Sequence, residues 1–532
     1  MSADSPGGRL PGAVEIYDTT LRDGAQLEGI SLTVDDKLRI AEQLDWLGVH
    51  WIEGGWPGSN PKDIEFFQRA ATELKLETST LVAFGSTRRK AGKVDSDDTL
   101  RHLVESGAST VCIVGKSWDY HVLETLETTL DEGAAMVRDS VEFLHAQGLR
   151  VMFDAEHFFD GWKANSEFAL RVLEAAAEKG ATHLVLCDTN GGSLPNDVTA
   201  AVSAVVDHFR DDVVVGVHLH DDAGCGVANA LAGVRAGARQ VQGTINGYGE
   251  RTGNCNLTTI IPNLSLKMGV ETIPTERLER LTPVSHHVAE LVNMPLNPQQ
   301  PFVGHSAFAH KAGLHTSAIA RRPDAYEHVP PALVGNGTRF VVSELAGRST
   351  LQMKAQELGI DIDGPTLTEV VDTLKRLEHE GYHFEAADGS LELLMRRAGG
   401  WEQPFFTLES FRVIADELGA GGFSTEATVK VHVAGARVVR TAEGDGPVNA
   451  LDRALRAAIG DEFPALARIH LIDYKVRVLD TAKGTGAVTR VLLDSTNGER
   501  SWSTIGVSPN IIEASWQALC DSIVYGLLHT TA

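Results

Sequence analysis

Between Val14 and Asn246, short apolar runs rich in β-branched residues recur about every 30 residues, and stretches with helical periodicity fill the gaps between them. Eight runs stand out: Val14–Thr20, His50–Gly55, Thr78–Gly85, Ser109–Gly115, Arg150–His157, His183–Thr189, Val213–His220 and Gln240–Asn246. Several are apolar throughout, as strands covered on both faces must be. Alternation of this kind predicts a parallel sheet, and eight βα units predict a closed (β/α)8 TIM barrel over residues 13–282. The segment Thr33–Gly48 illustrates the gaps: apolar residues at helical spacing lie between a Thr N-cap and a Gly stop, which predicts an amphipathic outer helix.

After about Thr282 the alternation ends. A stretch rich in His, Pro and Gly leads into mixed helical segments, predicting connecting subdomains over residues 283–404. From Phe405 the pattern changes to period two, as in Ala427–Val433 and Ile469–Val478, with helices predicted at Asn449–Ile459 and Ile511–Leu528. Residues 405–532 therefore read as a separate α+β domain, with a hint of internal duplication. Residues 1–12 carry Gly, Pro and Ser without the apolar core of a signal peptide and read as a disordered lead-in.

Composition narrows the possible partners. Seventy-two acidic against 47 basic side chains give a formal charge of −25, which repels a phosphate backbone, so no nucleic-acid partner is expected. No apolar run reaches 18 residues, so no membrane span is expected either. Five scattered cysteines without a C-x-x-C pair fit reduced thiols and a cytoplasmic home.

In a barrel of this type the interior is expected to be apolar, and chemistry sits at the C-terminal ends of the strands. Polar residues crowd there: Asp18 to Asp23 after the first strand, Glu53 after the second, Asp154, Glu156 and His157 after the fifth, Asp188 and Thr189 after the sixth, and His218 to Asp222 after the seventh. His218 and His220, two apart on a strand, face one side and can offer two imidazole nitrogens to one ion. Asp23 is the candidate carboxylate, and Asn254 can add an oxygen. A mixed His and oxygen set suits Mn2+, Co2+ or Zn2+, with Mg2+ also open. Arg22 stands ready to stabilise an oxyanion, or to form a rim salt bridge. Glu156 is open between substrate positioning, proton transfer and helix capping. Gly224, Gly226, Gly247, Gly249 and Gly253 fill the corner where such barrels bind phosphate, although turn chemistry explains them equally well.

The runs Asp18–Gln26, His218-Leu-His220 and Gly249–Asn254 together resemble the DRE-TIM metallolyases. Ala307–His315, Tyr326–Pro331 and Gly444–Leu451 are similar to the 2-isopropylmalate, homocitrate and citramalate synthases within that family, and Ile52–Asp63 is most similar to the citramalate branch, whose acceptor is pyruvate. The resemblance implies an acyltransferase that joins acetyl-CoA to a 2-oxo acid, with a divalent metal on Asp23, His218, His220 and Asn254. It further implies that Arg22 stabilises the developing alkoxide, that Thr189 binds the acceptor carboxylate, and that Glu53 and Glu156 line the substrate pockets. His315 and Tyr326 are implied to assist enolisation from the second subunit of a domain-swapped homodimer. The C-terminal domain resembles the regulatory dimer domain of isopropylmalate synthases, with isoleucine the expected effector. Larger acceptors, as in isopropylmalate and homocitrate synthases, stay open, as does a catalytically silent amino-acid sensor. A carbon–carbon lyase fits less well, because such lyases lack a C-terminal domain of this kind.

Overall fold

A computed structural model describes residues 10–310, 322, 325–340, 348–418, 422–479, 484 and 486–530. His315 and residues 1–9 of the expected lead-in lie outside that range. The chain divides into two compact units, one of residues 1–308 with 327–338, the other of residues 309–326 with 339–532.

In the first unit eight parallel strands close a barrel in chain order: β1 (Glu15–Asp18), β2 (Trp51–Gly55), β3 (Thr80–Ser86), β4 (Thr110–Lys116), β5 (Arg150–Glu156), β6 (Ala181–Asp188), β7 (Val214–Leu219) and β8 (Gln240–Gly243). β1 closes the ring, with Tyr17 beside Trp51 of β2 and Asp18 beside Gly243 of β8. The barrel predicted from the hydrophobic alternation is present. Its first outer helix, Val34–Leu47, starts where expected: Thr33 Oγ1 accepts from Asp36 N–H, and the Asp36 carboxylate accepts from the Thr33 N–H. It stops at Gly48, whose φ of 98° suits glycine. Leu38, Ala41, Leu44 and Leu47 bury its inner face in the layer between strands and helices. Each such leucine contributes about 1.5–3 kcal/mol.

The barrel interior differs from expectation. Tyr17, Trp51, Val82, Phe84, Cys112 and Met152 form an apolar cluster of their own, but polar side chains share the space. Glu15 of β1 meets His183 of β6 at 2.9 Å and the Trp51 indole N–H at 2.7 Å. Gln242 of β8 donates to Asp154 of β5 at 3.0 Å. The expectation of an apolar interior is thus corrected: polar groups are tolerated where each finds a partner across the ring, which offsets the cost of its burial.

The second unit carries helices Arg348–Glu357, Gly364–Glu380 and Asp388–Ala398, with Leu351, Leu367, Val370, Leu374 and Leu391 in their core. Two three-stranded antiparallel sheets follow. Thr407–Leu418, Gly422–Val433 and Ala436–Gly444 form the first, covered by helix Pro447–Ile459; His470–Val478, Thr489–Thr496 and Ser501–Ser508 form the second, covered by helix Ile511–Thr530. This repeated β-β-β-α order matches the duplication hinted at in the sequence. Among the described residues, no helix is long and apolar enough to cross a membrane.

Candidate metal centre

The loop after β1 and the end of β7 bring Asp23, His218 and His220 together. Among the described residues these three form a group whose ligand atoms all lie within 4.8 Å of one another. His218 Nε2 is 3.3 Å from Asp23 Oδ2 and 3.3 Å from His220 Nε2, and His220 Nε2 is 3.9 Å from Asp23 Oδ2. Donors placed about 2.1 Å from one ion stand roughly 3.0–3.5 Å apart, so the spacing fits a shared cation. All three side chains are buried.

Asn254 joins them through the backbone, where it forms a bridge with His220. Its side-chain N–H donates to the Tyr248 carbonyl at 3.2 Å. Its buried Oδ1 has no hydrogen-bond partner among the described residues. An unpartnered buried oxygen costs free energy unless something positive faces it, and with two imidazoles and a carboxylate it makes a donor set that suits a divalent ion. The residues present therefore fit the metal implied by the sequence.

Electrostatics agree with that fit. Burial alone would raise the Asp23 carboxyl, but Arg22, the hydrogen bond from His218 and the charges of both imidazoles hold it far below the usual carboxylate range. Burial also opposes a charge on His218, yet the hydrogen bond and charge of Asp23 outweigh it and raise that ring's affinity for a proton. His220 moves the other way: burial and the neighbouring His218 push it down to about 4, leaving a neutral ring near pH 7. A negative carboxylate and a neutral imidazole are the forms that ligate cations, so Asp23 and His220 stand ready for an ion while His218 gives up a proton to bind one.

Arg22 lies against this group, its Nη1 3.3 Å from Asp23 Oδ2. Its Nε donates to Glu53 Oε1 at 2.6 Å, and its guanidinium carbon sits 3.8 Å from the centre of the Phe84 ring. Glu53 is fully buried and also accepts from Tyr17 Oη and Thr19 Oγ1, both at 2.5 Å. Three donors occupy that carboxylate, so its direct contacts anchor Arg22. A cavity of about 260 Å³ opens beside Arg22, lined also by Gln26, Lys37, Trp56 and Lys62.

The remaining candidates are spread more widely. Glu156 ends β5 and pairs with Lys116 of β4. Thr189 Oγ1 accepts from the His157 N–H at 2.9 Å, and His157 holds a left-handed φ of 55°. Tyr326 is exposed and belongs to the second unit. Several acidic strand ends prove to be loop staples. Asp18 accepts from Thr20, Asp188 from Ser193, and Asp221 from the Gly226 N–H. The glycines at 247, 249 and 253 all have positive φ, and a Cβ on Gly249 would strike the Asn254 amide. Turn geometry thus explains them. Sequence reasoning missed Phe84 beneath Arg22 and Gln242 behind His218; the alternation in Gln240-Val-Gln242 was the available signal for the second.

The closed barrel and its two-imidazole, one-carboxylate mouth define a (β/α)8 barrel protein with a candidate divalent-metal centre at its strand ends. The HMGL-like family model matches residues 13–286, the homocitrate synthase post-HMGL domain-like model residues 302–382, and the LeuA allosteric (dimerisation) domain residues 385–527. The (R)-citramalate synthase of Aquifex aeolicus is 52% identical over 518 residues, covering 97% of this chain and 98% of that one. That of Streptomyces coelicolor is 51% identical over 522 residues, covering 98% and 97%, and that of Geobacter sulfurreducens 48% identical over 517 residues, covering 97% of each. The chain belongs to the (R)-citramalate synthase family.

Proposed function

We propose that this protein condenses acetyl-CoA with pyruvate and hydrolyses the resulting thioester to (R)-citramalate and CoA, a committed step toward isoleucine. The buried Asp23, His218 and His220 cluster beside Arg22 carries this reading, together with near-full-length identity to (R)-citramalate synthases. Asp23, His218, His220 and Asn254 hold a divalent ion, which when bound supplies a Lewis acid for the keto acid. Arg22, aimed by Glu53 and Phe84, faces the keto oxygen and stabilises the negative charge that develops there. Thr189 holds the acceptor carboxylate, and Glu156 borders the acetyl group. The acetyl methyl gives a proton to a base, its carbon bonds to the keto carbon, and the keto oxygen gains a proton; water then cleaves the thioester. His315 and Tyr326 come from the second chain of a swapped homodimer and assist loss of the methyl proton. The setting is cytoplasmic.

The LeuA allosteric domain match supports feedback control, with isoleucine as the effector. A cavity of about 230 Å³ lined by Val448, Asn449, Tyr474, Leu493 and Ile523 borders the Gly444–Leu451 motif and offers it room.

The deciding experiment measures CoA release from acetyl-CoA with pyruvate, 2-oxoisovalerate or 2-oxoglutarate, using metal-free and metal-loaded protein. Metal-dependent release with pyruvate alone is expected. Preference for a larger acceptor would overturn the pyruvate assignment, and a metal-loaded, folded protein silent with all three would favour a sensor.

A further inference from the structure

Gln242 lies on β8 directly behind one of the imidazoles. Its Oε1 is 2.9 Å from His218 Nδ1, and its Nε2 is 3.0 Å from Asp154 Oδ1. Gln242 is 0%, Asp154 3% and His218 5% exposed, so water does not compete for these contacts. The two ends of a side-chain amide are not interchangeable here. Burial raises the Asp154 carboxyl to about 6, still below neutral pH, and an ionised carboxylate only accepts hydrogen bonds, so Asp154 takes the NH2 end and turns the carbonyl end toward His218. That carbonyl oxygen also only accepts, so His218 Nδ1 must carry a proton. When the ring gives up its second proton, the lone pair therefore appears on Nε2, the nitrogen 3.3 Å from both Asp23 Oδ2 and His220 Nε2.

We propose that Asp154 and Gln242 are positioning residues that set the tautomer of His218, so that Nε2 is the nitrogen offered to the divalent ion. This rests on the metal-centre reading above and deepens it. A reversed amide would place NH2 against Nδ1, shift the ring proton to Nε2 and close the donor. His220 provides the contrast: its buried Nδ1 has no hydrogen-bond partner among the described residues, so the polarity imposed across the ring acts on His218. Partners of this kind tune metal affinity by about 10–100-fold elsewhere.

The test titrates Zn2+ into full-length, metal-free protein by chelator competition, using wild type, Gln242→Leu, and a swapped pair carrying Asp154→Asn with Gln242→Glu. In the swap Glu accepts from both neighbours, so the bond to residue 154 reverses while His218 Nδ1 still donates. Gln242→Leu is expected to bind Zn2+ about 10–100-fold more weakly, and the swap to recover most of the loss. Nitrogen-15 NMR of histidine-labelled, Zn2+-loaded wild type is expected to place a proton on Nδ1 of His218 and none on Nε2, a readout that needs no variant to fold. A proton on Nε2, a folded Gln242→Leu that binds as tightly as wild type, or a folded swap no tighter than Gln242→Leu would each overturn the proposal while leaving the metal centre standing. If His218→Ala binds Zn2+ as tightly as wild type, the metal-centre reading itself falls and takes this inference with it.

Discussion

Arg22 carries a permanent charge into a largely buried site, and its neighbours explain how it stays there. Burial works against the charge, but Glu53 and Asp23 more than compensate and the Phe84 face supplies a further attraction, so the guanidinium remains protonated. Arg22→Gln keeps a donor but loses the charge; kcat is expected to fall about 10²–10³-fold while Zn2+ still binds. Equal loss of metal uptake, measured by the same titration, would instead make Arg22 a support for Asp23. Glu15, at the far end of the barrel, illustrates a different balance. Burial would raise its pKa, yet the hydrogen bond and charge of His183 and the Trp51 N–H bring it down from 4.5 to about 2. A carboxyl with a depressed folded pKa stabilises the fold above its unfolded value and loses that contribution as pH drops. Thermal melts should therefore show the gap between wild type and Glu15→Gln widest above pH 4.5 and narrowing toward pH 2. A gap independent of pH would mean that the Glu15 pair does not act through its charge.

Among the elements, the β8 loop and the first helix make opposite demands on sequence. The loop needs glycine. At Gly249, φ is 152° and an added Cβ would collide with the Asn254 amide. Gly249→Ala is expected to displace the Asn254 oxygen and weaken Zn2+ binding several-fold, since one of the four proposed donors moves; unchanged affinity would remove Asn254 from the proposed ligand set. The helix needs a cap. Thr33→Ala removes the acceptor for Asp36 N–H and should lower stability by about 1 kcal/mol in a denaturant titration. Activity is expected to stay at the wild-type level, because the exposed Thr33 hydroxyl bonds only within the cap, to Asp36.

At the level of the whole molecule, the second-chain role proposed for Tyr326 is open to a mixing test. Tyr326 belongs to the second unit and the metal cluster to the first. If the dimer is swapped as proposed, a chain carrying His218→Ala and one carrying Tyr326→Phe are each impaired, but a mixed dimer contains one site with both residues intact. Co-refolding or co-expressing the two should restore activity above either parent, read as CoA release. No recovery in mixed dimers of verified composition would assign Tyr326 to its own chain.

Local pattern along the chain sufficed for the barrel, the capped helix at Thr33–Gly48 and an α+β C-terminal region with a hint of duplication, whose β-β-β-α order the structure supplied. Burial of a strand or helix face requires apolar residues at a fixed period, and that period is written in neighbouring residues. The His218-x-His220 pair was legible for the same reason, because two residues apart on a strand face one side. What lay beyond local pattern was the use made of each polar strand end. Asp18, Asp188 and Asp221 look the same in sequence as Asp23, yet they tie down loops, while Glu53 spends its carboxylate on Tyr17, Thr19 and Arg22. Gln242 and Asp154 are separated by 88 residues and meet only because the ring closes. Such pairings follow from which strands face each other across the barrel, a property of the closed sheet that no single stretch of chain contains.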